Sequence, residues 1–257
     1  MSAQMRSVTK ALSPAAAWDE LHAAATESYR QAGSFAWHFA RGKLGRDPVF
    51  RGLIERGLIG AQRSRVVDIG CGQGLFASLL DAMAAMQADG RWPLSWAGTP
   101  ASAAYTGIEL MPRDVARAEQ SLARLSPKPT FVCGDMCSAQ LPACDLVVIL
   151  DVLHYVDLAA QEGVLQRVHA ALAAGQGRLL LRVGDAASTR GFAISQWVDR
   201  TVTRIRGHKV SPTWGRPLAD WIALLQRLGF ADVRSVPMSE GTPFANVLLV
   251  ADVRGTT

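Results

Sequence analysis

An acidic residue, three glycines and a cysteine lie within nine residues of an otherwise mostly apolar segment, VVDIGCGQG at 66–74. They are Asp68, Gly70, Cys71, Gly72 and Gly74. A glycine-rich turn after a buried strand lets the backbone approach part of a nucleotide closely, because glycine has no Cβ. The turn alone leaves the nucleotide open. It also leaves open whether Cys71 is a reactive thiol or a compact turn residue.

A second acid follows the next apolar run. The run YTGIEL at 105–110 predicts a strand, and Glu109 lies near its end, 35 residues after Gly74. A carboxylate at that place can accept hydrogen bonds from both hydroxyls of a ribose. The pattern differs from the dinucleotide fingerprint G-x-G-x-x-G, because Leu75 stands at its last glycine. A long loop at 87–104 explains the separation, and we expect this loop to form a wall of the site.

The elements that must position these residues are strands alternating with helices. Beyond residue 60, short apolar runs alternate with segments of helical period, which is typical of a parallel sheet covered on both faces. The predicted strands are 65–69, 105–110, 129–135, 144–151, 178–183, 231–238 and 246–253. The last two predict an antiparallel hairpin on the sheet edge. The expected fold is therefore α/β, with a Rossmann-like, doubly wound, seven-stranded sheet that is mostly parallel.

Two regions are predicted along the chain. Residues 1–60 are helical in pattern and mix aromatic with basic side chains, which predicts an N-terminal lid or cap segment. The alternative is that the aromatic side chains only bury this segment against the core. Residues 61–257 form the second region, with insertions near 87–104 and 184–217.

The arrangement resembles class I S-adenosylmethionine-dependent methyltransferases. The resemblance rests on VVDIGCGQG, GIEL, CGDM and DVLHYV in this order, and it runs from about residue 65 to residue 252. It implies an enzyme that uses S-adenosylmethionine and releases S-adenosylhomocysteine. The cofactor-binding residues that it implies are Asp68, Gly70, Cys71, Gly72, Gly74, Glu109, Leu110, Asp135, Met136 and Asp151.

The family pattern also implies a role for each acid. Asp68 and the glycine turn would lie against the methionine moiety, and Glu109 would hold the ribose. Asp135 would contact the adenine amine with Met136 beside it, and Asp151 would line the methyl-transfer site. Carboxylates near the sulfur are electrostatically reasonable, because a sulfonium is cationic. Taken alone, Asp135 is equally consistent with an ordinary turn residue.

A general base is needed only if the methyl acceptor is a hydroxyl. Methyl transfer from a sulfonium is an in-line displacement, and most of its catalysis can come from alignment and exclusion of water. His154, three residues after Asp151, is the best-placed group to remove a hydroxyl proton, so these two are the predicted catalytic residues. The alternative for His154 is a packed histidine at a helix start, and His38 and His208 are the other candidate bases.

Neither a metal nor a nucleic acid is expected at this site. A catechol-type metal site would use Asp151 and Asp185, but it also needs an Asp-Asn pair, and here alanine follows Asp185. Methyltransferases of nucleic-acid amino groups resemble one another in Asn or Asp followed by Pro-Pro-aromatic, whereas DVLH stands here. We therefore expect a small-molecule or carrier-bound acceptor.

A narrower similarity is to the small methyltransferases of bacterial aryl polyene and related polyketide pigment pathways. It rests on ARGKLGRDPVF, GIELMPRDVARAE and RGHKVSPTWGRPLADW. It implies secondary metabolism and an aromatic acceptor that is methylated on a hydroxyl, either as a free small molecule or tethered to an acidic acyl carrier protein. Between residues 178 and 234, ten Lys or Arg face four Asp, and this basic excess is able to receive such a partner. A solvated basic face without a partner is the alternative.

Composition favours a soluble protein of a reducing compartment. There is no run of roughly 18 uncharged apolar residues, as a membrane span would need. Pro14 and Asp19 interrupt the region where a secretory signal needs an apolar core, and the four cysteines lack the spacing of a disulfide scaffold. We expect a cytoplasmic protein of undetermined oligomeric state. A nicotinamide-dependent oxidoreductase and a non-catalytic S-adenosylmethionine-binding partner protein remain alternative functions.

Overall fold

The structure, a computed structural model, describes residues 11–174, 176–185, 213–238 and 246–254. The helices within these ranges are α1 (Pro14–Glu27), α2 (Ser34–Arg46), α3 (Pro48–Glu55), α4 (Leu75–Ala88), α5 (Pro112–Ser121), α6 (Leu158–Ala173) and α7 (Leu218–Arg227). The strands are β1 (Arg65–Ile69), β2 (Ala104–Glu109), β3 (Thr130–Cys133), β4 (Leu146–Leu150), β5 (Arg178–Gly184), β6 (Ala231–Pro237) and β7 (Asn246–Asp252). Short 3₁₀ turns at Ser28–Ala32 and Leu153–Tyr155 follow α1 and β4.

The described strands form one seven-stranded sheet in the order β3-β2-β1-β4-β5-β7-β6. Neighbours from β3 to β5 pair in parallel, whereas β7 pairs antiparallel with both β5 and β6. The predicted fold class is confirmed. In the terminal hairpin, β7 lies inside the sheet and β6 forms the edge. Burial agrees with this order, because four successive residues of β7 are buried whereas β6 is largely accessible.

The two faces of the sheet are covered by different helices. Alternate strand residues such as Val66, Val148 and Leu180 pack against α1–α4. The intervening residues, such as Val67 and Ile149, pack against α6 and α7. Successive side chains of a strand point to opposite faces, so a strand covered on both faces must be apolar along its whole length.

The N-terminal helices, residues 14–55, lie in the same layer as α4 and share one apolar core with it and the sheet. Leu21, Tyr29 and Leu44 are fully buried in that core. Phe35 is different, because 56% of its surface is exposed. These helices are therefore joined to the domain through an apolar contact, and their predicted role as a lid stays a prediction.

The loop between α4 and β2 does not line the carboxyl edge of the sheet, so the expectation that it forms a wall of the site is wrong. Ala104, which ends this loop, pairs with Arg65 at the first position of β1, whereas the glycine turn follows the last. The loop packs instead near α1, where the Leu12 N–H donates to the Arg91 carbonyl at 3.0 Å. A loop that precedes a parallel strand must join its amino end.

Within the described ranges, none of the helices has both the length and the apolar character that a membrane crossing requires.

Candidate active site

The glycine turn between β1 and α4 has three glycines in left-handed backbone conformations, with φ of +75° at Gly70, +54° at Gly72 and +74° at Gly74. A Cβ at Gly70 would lie 2.4 Å from a methyl group of Val152. A Cβ at Gly72 would meet no atom within 4 Å, so this glycine faces open space. Two constraints therefore act on one turn: Gly70 allows close packing, and Gly72 leaves room for a ligand.

Glu109, at the end of β2, is held by the backbone of this turn. Its Oε2 accepts from the Gly72 N–H at 2.9 Å, and its Oε1 accepts from the Met111 N–H at 2.9 Å. Each carboxylate oxygen keeps a further lone pair for a ligand. The next residue, Leu110, is 63% exposed at the same edge. The structure thus brings together the two features, glycines and acid, that the sequence separates by an inserted loop.

Asp68 is buried beneath the turn with an uncharged hydrogen-bond donor. The Tyr105 hydroxyl donates to its Oδ2 at 2.6 Å. No Lys or Arg of the described residues forms an ion pair with it. Burial raises the pKa of Asp68 to about 7; the Tyr105 hydrogen bond opposes the shift and the Glu109 charge adds to it. The carboxylate is therefore costly to ionise until a cation reaches it.

Cys71 is buried against β2, where a Cβ on Gly107 would lie 2.6 Å from the Cys71 sulfur. Burial, together with the charges of Asp68 and Glu109, raises the pKa of this thiol far above its ordinary value. A thiolate is the nucleophilic form of cysteine. Cys71 is therefore suited to compact packing at the turn and unsuited to nucleophilic chemistry.

Sequence reasoning missed Tyr29 and Asp114, which contact the glycine turn from outside through Gln73. The hydroxyl of Tyr29, from the N-terminal helices, donates to the Gln73 carbonyl at 2.9 Å. The Gln73 side chain donates to Asp114 Oδ1 of α5 at 3.2 Å. Burial raises the pKa of Tyr29 well above its usual value, so the hydroxyl stays a donor. Tyr29 is one of the N-terminal aromatic residues for which a lid or burial against the core was expected, but their pattern carries no signal for a contact with the glycine turn.

Asp135 and Met136 follow β3 at the same edge. The Asp135 carboxylate accepts from the Cys137 N–H at 2.8 Å, which makes a local turn, and the residue is exposed. The carbonyl of half-buried Met136 accepts from the Arg167 guanidinium of α6. The geometry is compatible with both readings of Asp135, turn residue and ligand contact.

Asp151, which follows β4, is joined to a buried ion-pair network. Its carboxylate accepts from Arg182 Nε of β5 at 2.8 Å and from a second nitrogen of the same guanidinium. Arg182 also binds Asp47, and Lys43 lies 2.6 Å from Asp47 and 3.9 Å from Asp151. Asp151 itself has φ of +59°, a conformation uncommon for a residue with a side chain. Its charge is thus compensated within the protein.

His154 lies in the 3₁₀ turn after Asp151 and is half-buried. Its carbonyl accepts from the Trp214 N–H at 2.8 Å, and its ring centroid is 4.2 Å from that of Tyr155. Of the other candidate bases, His38 is exposed beside Trp37, and His208 lies outside the described residues. Asp185, considered for a metal, accepts from the Leu218 N–H at the start of α7 at 3.1 Å.

A cavity of about 200 Å³ between α1 and α4 is separate from this edge. Its lining includes Ser28, Ser78, Asp81 and Met86, and none of the predicted cofactor-binding residues.

Comparisons with known proteins identify the family and the fold. Residues 36–235 match a family described as a methyltransferase domain. The tetracenomycin polyketide synthesis 8-O-methyl transferase TcmO of Streptomyces glaucescens is 26% identical over 111 residues. That match covers 42% of this chain and 31% of TcmO, so it spans about a third of the relative's length.

Two solved structures have the same fold. The magnesium protoporphyrin IX methyltransferase ChlM of Synechocystis PCC 6803, with bound S-adenosylhomocysteine, has a TM-score of 0.54 at 18% identity and covers 94% of this chain and 100% of its own. The mitomycin 7-O-methyltransferase MmcR has a TM-score of 0.55 at 20% identity, covering 94% and 72%. The segment of the family match contains the glycine turn, Glu109, Asp151 and Arg182 and makes up most of the chain, and the protein therefore belongs to the methyltransferase domain family.

Proposed function

We propose that this methyltransferase takes its methyl group from S-adenosylmethionine and transfers it to a hydroxyl of an aromatic, polyketide-type small molecule. The observation that carries the proposal is the meeting of the open Gly72 position, the oriented Glu109 carboxylate and the buried, uncompensated Asp68 at one edge of the sheet.

The residues present fit the cofactor. Glu109 has free lone pairs to receive the ribose hydroxyls, next to a glycine at which no atom would meet a side chain. Asp68 provides negative charge for the cationic methionine end, and this ligand would in turn favour its ionised form. Asp135 and Met136 are the proposed adenine contacts. When bound, S-adenosylmethionine supplies a methyl group on a positively charged sulfur, which makes it a good leaving group.

The chain's own residues then have to align the acceptor, exclude water and receive one proton. We assign the proton to His154, because Asp151 already accepts two hydrogen bonds from Arg182. Asp151 would act at the methyl-transfer site by fixing the turn that carries His154. On the cofactor side, Cys71 would contribute its backbone and a compact side chain to the turn, because its thiol is buried.

The acceptor class is supported by the names of the similar proteins. TcmO is named for 8-O-methylation in polyketide synthesis, and MmcR for 7-O-methylation of mitomycin. The four charges of Lys43, Asp47, Asp151 and Arg182 sum to zero beside the acceptor side of the site. A neutral phenolic acceptor suits such a site better than a highly charged one.

An aryl polyene head group on an acyl carrier protein is the finer form of this proposal. Of the ten basic residues counted between 178 and 234, Arg178, Arg182 and Arg227 already have acidic partners within the protein. Any carrier contact would therefore depend on the remaining basic residues, several of which lie outside the described ranges. Binding of an acidic carrier protein should weaken as salt rises from low to moderate, and a salt-independent affinity would argue against it.

Titration calorimetry with S-adenosylhomocysteine tests the cofactor assignment. We expect binding by wild type and a loss of about tenfold or more for Glu109→Ala, because a charged hydrogen-bond partner of the ribose is removed. Glu55→Ala, an exposed glutamate of α3 paired with Arg51, is the matched control and should bind normally. NAD binding in place of S-adenosylhomocysteine would favour an oxidoreductase.

Activity separates an enzyme from a non-catalytic cofactor-binding protein. Labelled methyl transfer to a dihydroxynaphthalene, a minimal fused aromatic with phenolic hydroxyls, should be measurable and should rise with pH in wild type. His154→Ala with near-normal turnover across pH would rule out the proposed base.

A further inference from the structure

Arg182 interrupts the apolar run of β5 (RLLLRVG), whose other arginine, Arg178, is the first residue of the strand. Arg182 is almost completely buried, with 2% of its surface exposed. Its guanidinium lies between two carboxylates: Nη2 is 2.6 Å from Asp47 Oδ2, and Nε is 2.8 Å from Asp151 Oδ1. Burial works against its charged form, but Asp151 and Asp47 outweigh burial and raise the pKa of Arg182. A buried cation of this kind depends on both partners for its stability.

One partner belongs to the N-terminal helices. Asp47 is the residue between α2 and α3, and its Oδ1 also accepts from the Val49 N–H at 3.1 Å, which caps α3. Burial favours the neutral acid here, yet the hydrogen bonds and charges of Arg182 and Lys43 hold the pKa of Asp47 well below its ordinary range. The junction of two helices is thus fixed to β5 through one side chain.

The other partner belongs to the turn at the methyl-transfer site. Asp151 has a left-handed backbone, and the next side chain, Val152, packs where Gly70 lacks a Cβ. His154 follows in the 3₁₀ turn, whose Tyr155 N–H donates to the Val152 carbonyl at 3.1 Å. A movement of Asp151 would therefore change the contact with the glycine turn and the direction of His154 together.

We propose that Arg182 is a positioning residue that couples the N-terminal helices to the turn at 151–156. If Asp47 leaves the guanidinium, the buried charge keeps one carboxylate and must rearrange, and Asp151 moves with it. Undocking of the N-terminal helices and rearrangement of the turn at 151–156 then occur together, as one conformational equilibrium. The docked N-terminal helices form a fixed wall on the acceptor side of the site, and their undocking changes the position of His154. This role in catalysis rests on the proposed function, whereas the coupling itself does not.

Hydrogen exchange on the complete chain tests the coupling without any acceptor. In Asp47→Asn the α3 cap is retained, because asparagine is also a good N-cap, and only the ion pair is weakened. We expect the amides of Asp151, Tyr155 and Val156 to exchange about tenfold faster although Asp47 does not belong to that turn. Faster exchange confined to α2 and α3 would overturn the proposal.

Asp252→Asn is the matched control. Asp252 of β7 accepts two hydrogen bonds, at 2.7 and 2.9 Å, from Arg178. Arg178 lies on β5, as Arg182 does, but at the opposite end of the strand. This variant weakens a comparable ion pair and should leave the exchange at 151–156 unchanged. Equal acceleration in both variants would mean that the effect is general loss of stability, and it would also overturn the proposal.

Kinetics give a second readout that a merely structural role would not move. With dihydroxynaphthalene as acceptor, Asp47→Asn and Arg182→Lys should lower kcat/KM for the acceptor by about tenfold while the dissociation constant of S-adenosylhomocysteine changes less than about threefold. Lysine keeps the charge but lacks the planar fork that reaches two carboxylates, so Arg182→Lys should lower the rate although the charge is retained. Equal losses in both parameters would contradict a positioning role. Failure of wild type to bind S-adenosylhomocysteine would reject the proposed function and leave the exchange result standing.

Discussion

Asp68 lies within the buried part of β1 and Asp151 directly follows the neighbouring strand β4, and the environments of their charges are opposite. Asp68 receives one hydrogen bond from an uncharged tyrosine, and its pKa is raised to about 7. Asp151 receives a buried guanidinium that also binds a third acid. A carboxylate already paired with a cation is part of the framework, whereas one kept without a cation is prepared for a charged ligand. We therefore distinguish a proposed ligand-binding half of the edge, around Asp68, from a structural half, around Asp151.

The largest expected effect is on stability and concerns the structural half. Arg182→Met removes the buried guanidinium from Asp47 and Asp151 and leaves them only the more exposed Lys43, so the free energy of unfolding should fall by about 3 to 5 kcal/mol. Arg178→Met, on the same strand, breaks a more accessible pair and should cost about half as much or less. Denaturant unfolding measures both. Equal losses of unfolding free energy in the two variants would contradict the view that the Arg182 network stabilises the protein more than an ordinary ion pair of β5.

The second effect sets stability against binding in the ligand-binding half. Asp68→Asn keeps an acceptor for Tyr105 but removes a buried charge, so the apoprotein should gain about 1 to 3 kcal/mol in free energy of unfolding at pH 8. The same change should weaken S-adenosylhomocysteine binding by about tenfold or more. A variant that is both less stable and fully able to bind would contradict the assignment of Asp68.

The pH dependence sharpens this prediction. The folded state keeps the Asp68 proton up to about pH 7, whereas the unfolded chain loses it near the ordinary value of 3.8. Between these pH values the folded state binds more protons, so the Asp68 contribution to stability falls as pH rises. The stability difference between Asp68→Asn and wild type should therefore be small near pH 4, grow through pH 5 and 6 and level off above pH 7. A difference that is constant with pH would show that Asp68 is ionised in the folded protein.

The smallest effect concerns the contact between the N-terminal helices and the glycine turn. Tyr29→Phe removes the hydrogen bond to the Gln73 carbonyl and leaves the ring, which should cost about 1 kcal/mol in unfolding free energy. S-adenosylhomocysteine affinity should fall only a few-fold, as seen by calorimetry. Leu94→Ala, a position of the loop between α4 and β2 with 95% of its surface exposed, is the control and should change neither quantity.

The elements that were predictable are those specified by local sequence. The predicted bounds of β1, Arg65–Ile69, agree with the structure, because the short, mostly apolar run ends directly at the glycine turn. Asp157 caps α6, with its Oδ1 accepting from the Ala160 N–H at 2.8 Å, as an aspartate directly before a helical segment indicates. The strands β3 and β4 are shorter than predicted, since their outer residues leave the sheet to form turns at its edges.

The contacts that were not predictable join distant parts of the chain. Asp47 and Arg182 are 135 positions apart, and no periodicity relates them. A signal was nevertheless present, because an arginine inside an otherwise apolar strand needs a buried acidic partner. The side of the sheet taken by the loop at 87–104 was also available from topology, since a segment that precedes a parallel strand lies at its amino end. The catalytic roles of His154 and Asp151 stay predictions.

The separation of Asp47 from Arg182 has a consequence for biosynthesis. The N-terminal helices leave the ribosome first, and Asp47 and its neighbour Lys43 leave with them, yet the junction acquires the Arg182 guanidinium only after β5 has been synthesised. Contacts of such sequence separation form late, because a long loop must close before they stabilise the chain. During translation Asp47 therefore remains without Arg182 until most of the strands have been synthesised. A chain in which this pair has formed already contains β4 and β5. The ion pair marks the end of assembly for this part of the domain.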